Sequence, residues 1–206
     1  MTIDIDEVKV ERNELGLWLG WTLATAGGML VGFLLTLPLV NLLNLGFAQI
    51  AVPVLAGTVI GFAQWFVLRR YLTASSRWDW TDGISWAVGY ILGLFLIQVL
   101  PSTIFAAFIG YFLFGVIVAL VQWPVLRREI PQILTWIVAS SLAWAAGYWV
   151  SQAVLSLFFT GDLIEPAEGT TELAVTSGLV AGAITGLALI WIVRKPEIVY
   201  ETAAKS

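Results

Sequence analysis

Histidine and cysteine are both absent from this 206-residue chain. Their absence excludes an imidazole general base, a thiolate nucleophile, a Cys/His zinc site, a histidine-ligated haem and an iron–sulfur cluster. The chain also lacks a phosphate-binding loop of the P-loop kind. Ser140 and Ser141 have no basic or acidic residue near them in the apolar run that could activate a hydroxyl. We therefore predict no catalytic residue, no metal site and no enzymatic activity.

Charged residues are scarce, at 12% of the chain, whereas hydrophobic residues make up 59%. Soluble domains average about 25% charged residues. Four segments contain no charged residue at all, namely residues 15–68, 83–126, 130–161 and 173–193. Runs of this length cannot be hidden in the core of a soluble protein of this size, so the sequence predicts an integral membrane protein.

Six membrane-spanning helices fit these apolar segments, because about 20 apolar residues cross the hydrocarbon layer. We predict an all-α, six-helix transmembrane domain over residues 15–195, between an acidic cytoplasmic segment (1–14) and a cytoplasmic tail (196–206). Residues 38–45 are too apolar for a free loop and too few to cross, which favours an interfacial or shallow re-entrant helix. The six predicted spans are residues 15–37, 49–68, 79–100, 104–126, 132–158 and 173–193.

All ten lysine and arginine residues fall on one side of this six-span arrangement. Basic residues concentrate in cytoplasmic loops, so we predict that both termini lie in the cytoplasm. The acidic residues within 162–172 then form an outer loop, either a solvated turn or an attraction site for a cation or a basic partner. Two basic pairs at span ends are expected to fix the orientation and to bind anionic lipid head groups, at about 1 kcal/mol per residue. These pairs are Arg69 with Arg70 and Arg127 with Arg128.

The chain contains an internal repeat. Residues 57–90 align without a gap with residues 115–148, with 12 identities in 34 positions that include a glutamine, an arginine pair and three tryptophans. Residues 182–195 form a weaker third copy, which keeps the small residues and the basic pair but not the glutamine. Because each copy ends in basic residues, we predict three parallel helical hairpins related by an axis along the membrane normal.

Small residues recur on one face of several predicted spans. Such faces let membrane helices approach closely and gain dispersion contacts, since lipid supplies no hydrophobic drive between helices. The residues that we expect to act in helix packing are Gly57, Gly61, Gly115, Ala119, Gly182 and Gly186.

Gln64 and Gln122 occupy equivalent repeat positions on these small-residue faces. Each is either an interhelical hydrogen-bonding residue, at about 0.6 kcal/mol, or a ligand to a cation or a pigment magnesium. Trp86 and Trp144 recur beside packing glycines and either fill the core or line a flat aromatic groove. The sequence predicts no definite cofactor, and these four residues are the candidates for a non-covalently bound pigment, quinone or lipid.

The string Gln-Trp-x-Val-Leu-Arg-Arg, at residues 64–70 and 122–128, resembles a tandem repeat of bacterial polytopic membrane proteins that are frequent in photosynthetic lineages. The resemblance covers residues 57–150. It implies a location in a bacterial cytoplasmic (inner) membrane or in an internal photosynthetic membrane. No assigned activity and no functional residues come with it.

Three functions remain open from the sequence. The favoured one is a non-enzymatic scaffold, accessory subunit or assembly factor, with membrane lipids and a membrane protein or a second copy as partners, and no nucleic acid. The second is a carrier of an apolar small molecule such as a carotenoid, a chlorophyll, a quinone or a lipid. The third is a substrate-binding membrane subunit of a small-solute transporter, weakened by the lack of an ionisable residue within the spans.

Overall fold

The computed structural model describes residues 13–42, 45–71, 81, 84–86, 88–89, 91–92, 104–127, 132–158 and 170–194. The described residues from 81 to 92, here called the 81–92 segment, are helical, and no β-strand occurs among the described residues. The long helices are α1 (Glu14–Leu42), α2 (Leu45–Leu68), α3 (Ile104–Leu126), α4 (Ile133–Phe158) and α5 (Thr170–Arg194).

Each of the five long helices is apolar and long enough to cross a membrane. The predicted class, a multi-pass membrane protein built of helices, is therefore confirmed at this level. Most of the predicted third span (79–100) lies outside the described residues, as do the predicted terminal segments up to residue 12 and from residue 196.

The prediction of a separate interfacial or re-entrant helix at residues 38–45 is wrong for residues 38–42, which belong to α1, and for Leu45, which begins α2, whereas residues 43–44 lie outside the described residues. Helix α1 continues through Pro38 to Leu42 and contains 29 residues, about 44 Å at 1.5 Å per residue. Pro38 lacks a main-chain N–H, yet proline is tolerated in membrane helices where nearby groups satisfy the backbone.

Two helix starts are specified by local chemistry. The N–H of Gly16 donates a hydrogen bond of 2.8 Å to Oδ1 of Asn13, so that Asn13 caps the N-terminus of α1. Helix α5 begins at Thr170, three residues before the predicted span, and its first turn contains Glu172. Glu172 is thus part of a helix rather than of a loop, in a position where the helix dipole favours a carboxylate.

Helix α1 packs between α2 and α5 and runs antiparallel to both. On the α2 side, Gly28 lies against Ile60 and Gly32 lies against Ala56, so residue numbers fall on one helix as they rise on the other. The α5 side has the same opposed order, with Gly182 against Thr22. Helix α1 therefore packs closely against a neighbouring helix on each of two faces.

The remaining elements complete a circle. Helix α4 packs against both α3 and α5. The 81–92 segment contacts α2 where Trp86 faces Gly57, and it contacts α3 where Gly89 faces Phe114. Every described element therefore has two neighbours, and the side chains that point inward from all of them share one core.

Two aromatic groups fill this core. In one, the ring of Trp21 meets the ring of Trp136 edge-on, with centroids 6.2 Å apart. In the other, Trp86, Phe114 and Trp144 make mutual edge-to-face contacts, with centroids 4.9–5.3 Å apart. Edge-to-face packing places the positive ring edge on the negative face of its neighbour, a favourable arrangement in a dry interior.

Candidate functional site

A small cavity with both polar and apolar lining residues lies in the core of the bundle, in contact with both aromatic groups. All five long helices and the 81–92 segment contribute to its lining. Its volume, measured for the centre of a water molecule, is about 20 Å³, which is room for about one water molecule. The lining residues are Trp21, Thr25, Gln64, Trp86, Val118, Gln122, Trp136, Ser140, Trp144, Ala181 and Thr185.

One hydrogen-bonded network beside the cavity joins α2, α1 and α5. The Gln64 amide nitrogen on α2 donates a bond of 3.0 Å to the Thr25 hydroxyl on α1, which in turn donates to the Trp21 carbonyl oxygen at 2.9 Å. The Trp21 indole N–H donates a bond of 2.9 Å to the Thr185 hydroxyl on α5. Thr185 completes the network by donating to the Ala181 carbonyl oxygen at 2.7 Å.

A second network joins α4 to α3. The indole N–H of Trp136 on α4 donates a hydrogen bond of 3.1 Å to Oε1 of Gln122 on α3. The two networks meet where the rings of Trp21 and Trp136 touch. Trp78, the residue that the repeat pairs with Trp136, lies outside the described residues.

Both predicted glutamine ligands are thus engaged in interhelical hydrogen bonds, which is one of the two interpretations that the sequence allowed. Gln64 is 6% exposed and Gln122 is 4% exposed. The cavity that they line is far below the roughly 300–1,000 Å³ of pockets that enclose organic ligands. A pigment or a quinone therefore has no room at these two residues in the described arrangement.

A binding site shared between the two repeat copies would require Trp86 and Trp144 to lie together, and they do. Their ring planes, however, are almost perpendicular, at 86°. Both side chains are buried, and Phe114 packs against each of them. The arrangement fills space, and no flat groove separates the two rings. Core filling is therefore the role that this geometry supports.

Four of the predicted packing residues, Gly57, Gly115, Gly182 and Gly186, lie at contacts between helical elements. A Cβ atom added at Gly115 would lie 2.6 Å from the Ser140 carbonyl oxygen and from the Ser141 Cα atom, so α3 approaches α4 backbone to backbone. On α5, a Cβ added at Gly182 would lie 3.0 Å from the Thr22 Cα atom of α1. All six residues are buried, namely Gly57, Gly61, Gly115, Ala119, Gly182 and Gly186.

The predicted lipid-binding arginines follow the ends of α2 and α3, where Arg69, Arg70 and Arg127 are exposed. The Arg69 guanidinium lies 4.1 Å from the ring centre of Phe66, and that of Arg70 lies 5.1 Å from the same ring. An exposed aromatic ring beneath two cations suits the head-group region, where apolar and charged surfaces meet. Arg128 lies outside the described residues.

Sequence reasoning missed the three hydroxyl residues of the site, Thr25, Ser140 and Thr185. A usable signal existed for Thr185, which lies between the packing residues Gly182 and Gly186 on α5. Serine and threonine in helices commonly bond to a carbonyl of their own helix. The sequence therefore does not show which hydroxyls also face a neighbouring helix.

Comparison with known proteins finds no family model, no curated protein and no solved structure that matches the chain. The cavity, its two networks and the outer surface of the helices are the observations from which a function has to be inferred.

Proposed function

We propose that the protein is a non-enzymatic membrane component that acts through its outer helix surface, as a scaffold, an accessory subunit or an assembly factor of a membrane complex. One observation carries this proposal. The polar groups at the centre of the bundle bond to one another around a cavity with room for about one water molecule. Because the protein's own side chains leave only this small cavity at the centre, the surface available for recognition of another macromolecule is the outer one.

The outer surface is rich in large apolar side chains on every long helix. Leu23 on α1 is 63% exposed, Phe62 on α2 is 57% exposed and Leu187 on α5 is 57% exposed, and Leu120 and Leu142 extend this surface to α3 and α4. In a bilayer, either lipid or another membrane helix covers such a surface. Another helix replaces lipid where it packs more closely against the surface. We infer that the partners are membrane lipids together with a membrane protein or a second copy of the chain.

Helix directions support the six-span arrangement. Helix α1 is antiparallel to α2 and to α5. Helix α4 is antiparallel to α5, which it meets at the Gly147–Ser177 contact, and it is also antiparallel to α3. Helices α2, α3 and α5 thus run in one direction. Because α2 and α3 are parallel, the chain has to cross the membrane once more between Leu68 and Ile104.

The same directions support an orientation with both termini in the cytoplasm. The C-terminal ends of α2, α3 and α5 lie on one side, and with them Arg69, Arg70, Arg127 and Arg194. Basic residues mark the cytoplasmic side of membrane proteins. We propose three parallel hairpins in a bacterial cytoplasmic membrane or an internal photosynthetic membrane, the location that the resemblance of residues 57–150 implies.

The two alternatives have less support. A carotenoid, a chlorophyll or a quinone needs a far larger pocket than the central cavity. A transporter that couples solute to ions or protons needs ionisable groups along its path, and the residues that line the cavity include none.

Purification from the native membrane in mild detergent tests the proposal, with an absorption spectrum and mass spectrometry of bound proteins, pigments and lipids. The matched variant is Gln64→Leu with Gln122→Leu. We expect a colourless protein with one stoichiometric protein partner, or with a second copy of itself, and the double variant should keep that partner. A stoichiometric pigment or quinone that the double variant loses would overturn the proposal in favour of a carrier.

A further inference from the structure

We propose that the central cavity is a binding site for one ordered water molecule, which hydrogen-bonds to the Ser140 hydroxyl and links it to the hydroxyls of Thr25 and Thr185. This inference concerns the interior of the bundle and does not depend on the proposed function. It rests on the size of the cavity, on an unpartnered buried hydroxyl and on the lack of charge in the lining.

Ser140 is the residue that points to a bound molecule. It is 2% exposed and lines the cavity, and its hydroxyl makes no hydrogen bond within the described part of the chain. The next residue behaves differently, because the Ser141 hydroxyl donates a bond of 2.6 Å to the Ile137 carbonyl oxygen of its own helix. Buried hydroxyls almost always have a partner, and a bound water is the commonest one when the protein supplies none.

The other two hydroxyls offer acceptor sites at the same cavity. Thr25 donates to the Trp21 carbonyl oxygen of its own helix, and Thr185 directs its proton to the carbonyl oxygens of Ala181, at 2.7 Å, and Gly182, at 3.4 Å. Each of the two hydroxyls accepts one hydrogen bond from a neighbouring side chain. A hydroxyl oxygen has two lone pairs, so each keeps one for a further donor. A water that accepts from Ser140 and donates to Thr25 and Thr185 has three partners, the typical number for a buried water.

The volume agrees with a single water. A cavity needs at least about 10–15 Å³, measured for the probe centre, to hold one molecule, and this cavity has about 20 Å³. Cavities that stay dry are lined by apolar side chains. Here the lining is mixed, because three hydroxyls and two amide side chains stand beside Val118, Ala181 and tryptophan rings.

An uncharged ligand fits the lining better than a cation. Cation sites in proteins use several oxygen ligands, usually with a carboxylate among them. The lining of this cavity includes no acidic side chain, and two of its groups are the indoles of Trp21 and Trp136, which are hydrogen-bond donors only. A water accommodates both donors and acceptors.

The bound water would connect the two hydrogen-bonded networks. Ser140 and Trp136 lie one turn apart on α4, whereas Thr25 and Thr185 belong to the network of α1 and α5. A bridge between these hydroxyls ties α4 to α1 across the core, beside the contact of the Trp21 and Trp136 rings.

A structure of the full-length protein in lipid nanodiscs, at a resolution that shows ordered water, tests the proposal. We expect one density peak within about 3.0 Å of the Ser140 hydroxyl oxygen. The peak should be lost or strongly reduced in Ser140→Ala and should persist in the control Ser141→Ala, whose hydroxyl is already bonded within α4. An empty cavity, a peak with five or more oxygen ligands as for a cation, or an unchanged peak in Ser140→Ala would overturn the proposal.

A second measurement needs only the unaltered protein. In radiolytic footprinting, hydroxyl radicals formed from a bound water oxidise the side chains beside it. Trp21 and Trp136 are each only 2% exposed, so radicals from bulk solvent do not reach them. We expect oxidation of these two indoles if the water is present, and their complete protection would contradict it.

Discussion

The indole N–H of Trp136 donates a hydrogen bond of 3.1 Å to Oε1 of Gln122, and this bond joins α4 to α3 beside the central cavity. The two side chains are 2% and 4% exposed. In the interior of a membrane protein bulk water cannot take the place of the lost partner, so a shift of one helix along the other that breaks this bond is unfavourable. The pair therefore specifies the register of α3 against α4.

A double-mutant cycle measures the interaction free energy between Trp136 and Gln122. Trp136→Phe and Gln122→Leu should each destabilise the protein, and the double variant should lose less than their sum, because each single change strands a buried polar partner. The expected coupling is about 0.6 kcal/mol and at most about 1.7 kcal/mol, measured as the free energy of unfolding in bicelles. Trp149→Phe is the control, since Trp149 is 38% exposed and its indole makes no hydrogen bond in the described part of the chain. Strict additivity of the two changes would contradict the pairing.

Because α3 and α4 approach closely, alanine should destabilise the protein at Gly115, which lies between them, but not at Gly27, which is exposed on α1. Gly115→Ala should cost about 1–3 kcal/mol, because the added methyl would meet the backbone of Ser140 and Ser141 at 2.6 Å. Gly27 is exposed on α1 and has no atom within 4 Å of an added Cβ. Gly27→Ala should thus be neutral or stabilising by up to about 1 kcal/mol. Equal effects of the two changes on the unfolding free energy would show that the backbones are not in contact.

Replacement of alanine by leucine should destabilise the protein at buried positions and leave its stability almost unchanged at an exposed position. Ala119 and Ala143 are fully buried, so Ala119→Leu and Ala143→Leu should each lower stability by about 1–3 kcal/mol through overpacking. Ala153 on α4 is exposed, and Ala153→Leu is the matched control that should leave stability within about 0.5 kcal/mol. The measurement is unfolding together with size-exclusion chromatography of the purified protein. Wild-type stability of both core variants would refute the packing assignment.

The natural absence of cysteine makes the topology directly testable. Single cysteines at Arg70, Arg127 and Leu42 lie at exposed helix ends. We expect Arg70→Cys and Arg127→Cys to react with a membrane-impermeant maleimide from the cytoplasmic side, and Leu42→Cys to react from the other side. Labelling of the cysteines at 70 and 127 from opposite sides would contradict the parallel course of α2 and α3.

Charge and hydropathy are sufficient to predict the end of a helix where a charged residue ends the apolar run. Helix α3 ends at Leu126 as predicted, because Arg127 ends the apolar run. The end of α1 was mispredicted, because Pro38 terminates most helices in water but interrupts only one hydrogen bond in a long membrane helix. Local sequence does not show which of these outcomes occurs.

The site was predictable only in part. Helical spacing placed Gln64 and Gln122 on the same faces as the small residues, and both are buried there. Their hydrogen-bond partners are Thr25 on α1 and Trp136 on α4. These partners follow from which helices become neighbours and from how the helices are shifted along their axes relative to one another. The cavity itself is the space left by the packing of all these helices, a property of the assembled bundle rather than of any one segment.

Site-specific photocrosslinking in the native membrane tests the central claim, that the protein acts through its outer helix surface. A diazirine amino acid would replace one exposed residue at a time, namely Leu23, Phe62, Leu120, Leu142 or Leu187, with the buried Leu189 as the interior control. We predict that one protein, a partner or a second copy of the chain, crosslinks from adjacent outer positions and not from Leu189. Capture of a pigment or a quinone from Leu189, with no protein crosslinked from any outer position, would contradict the account.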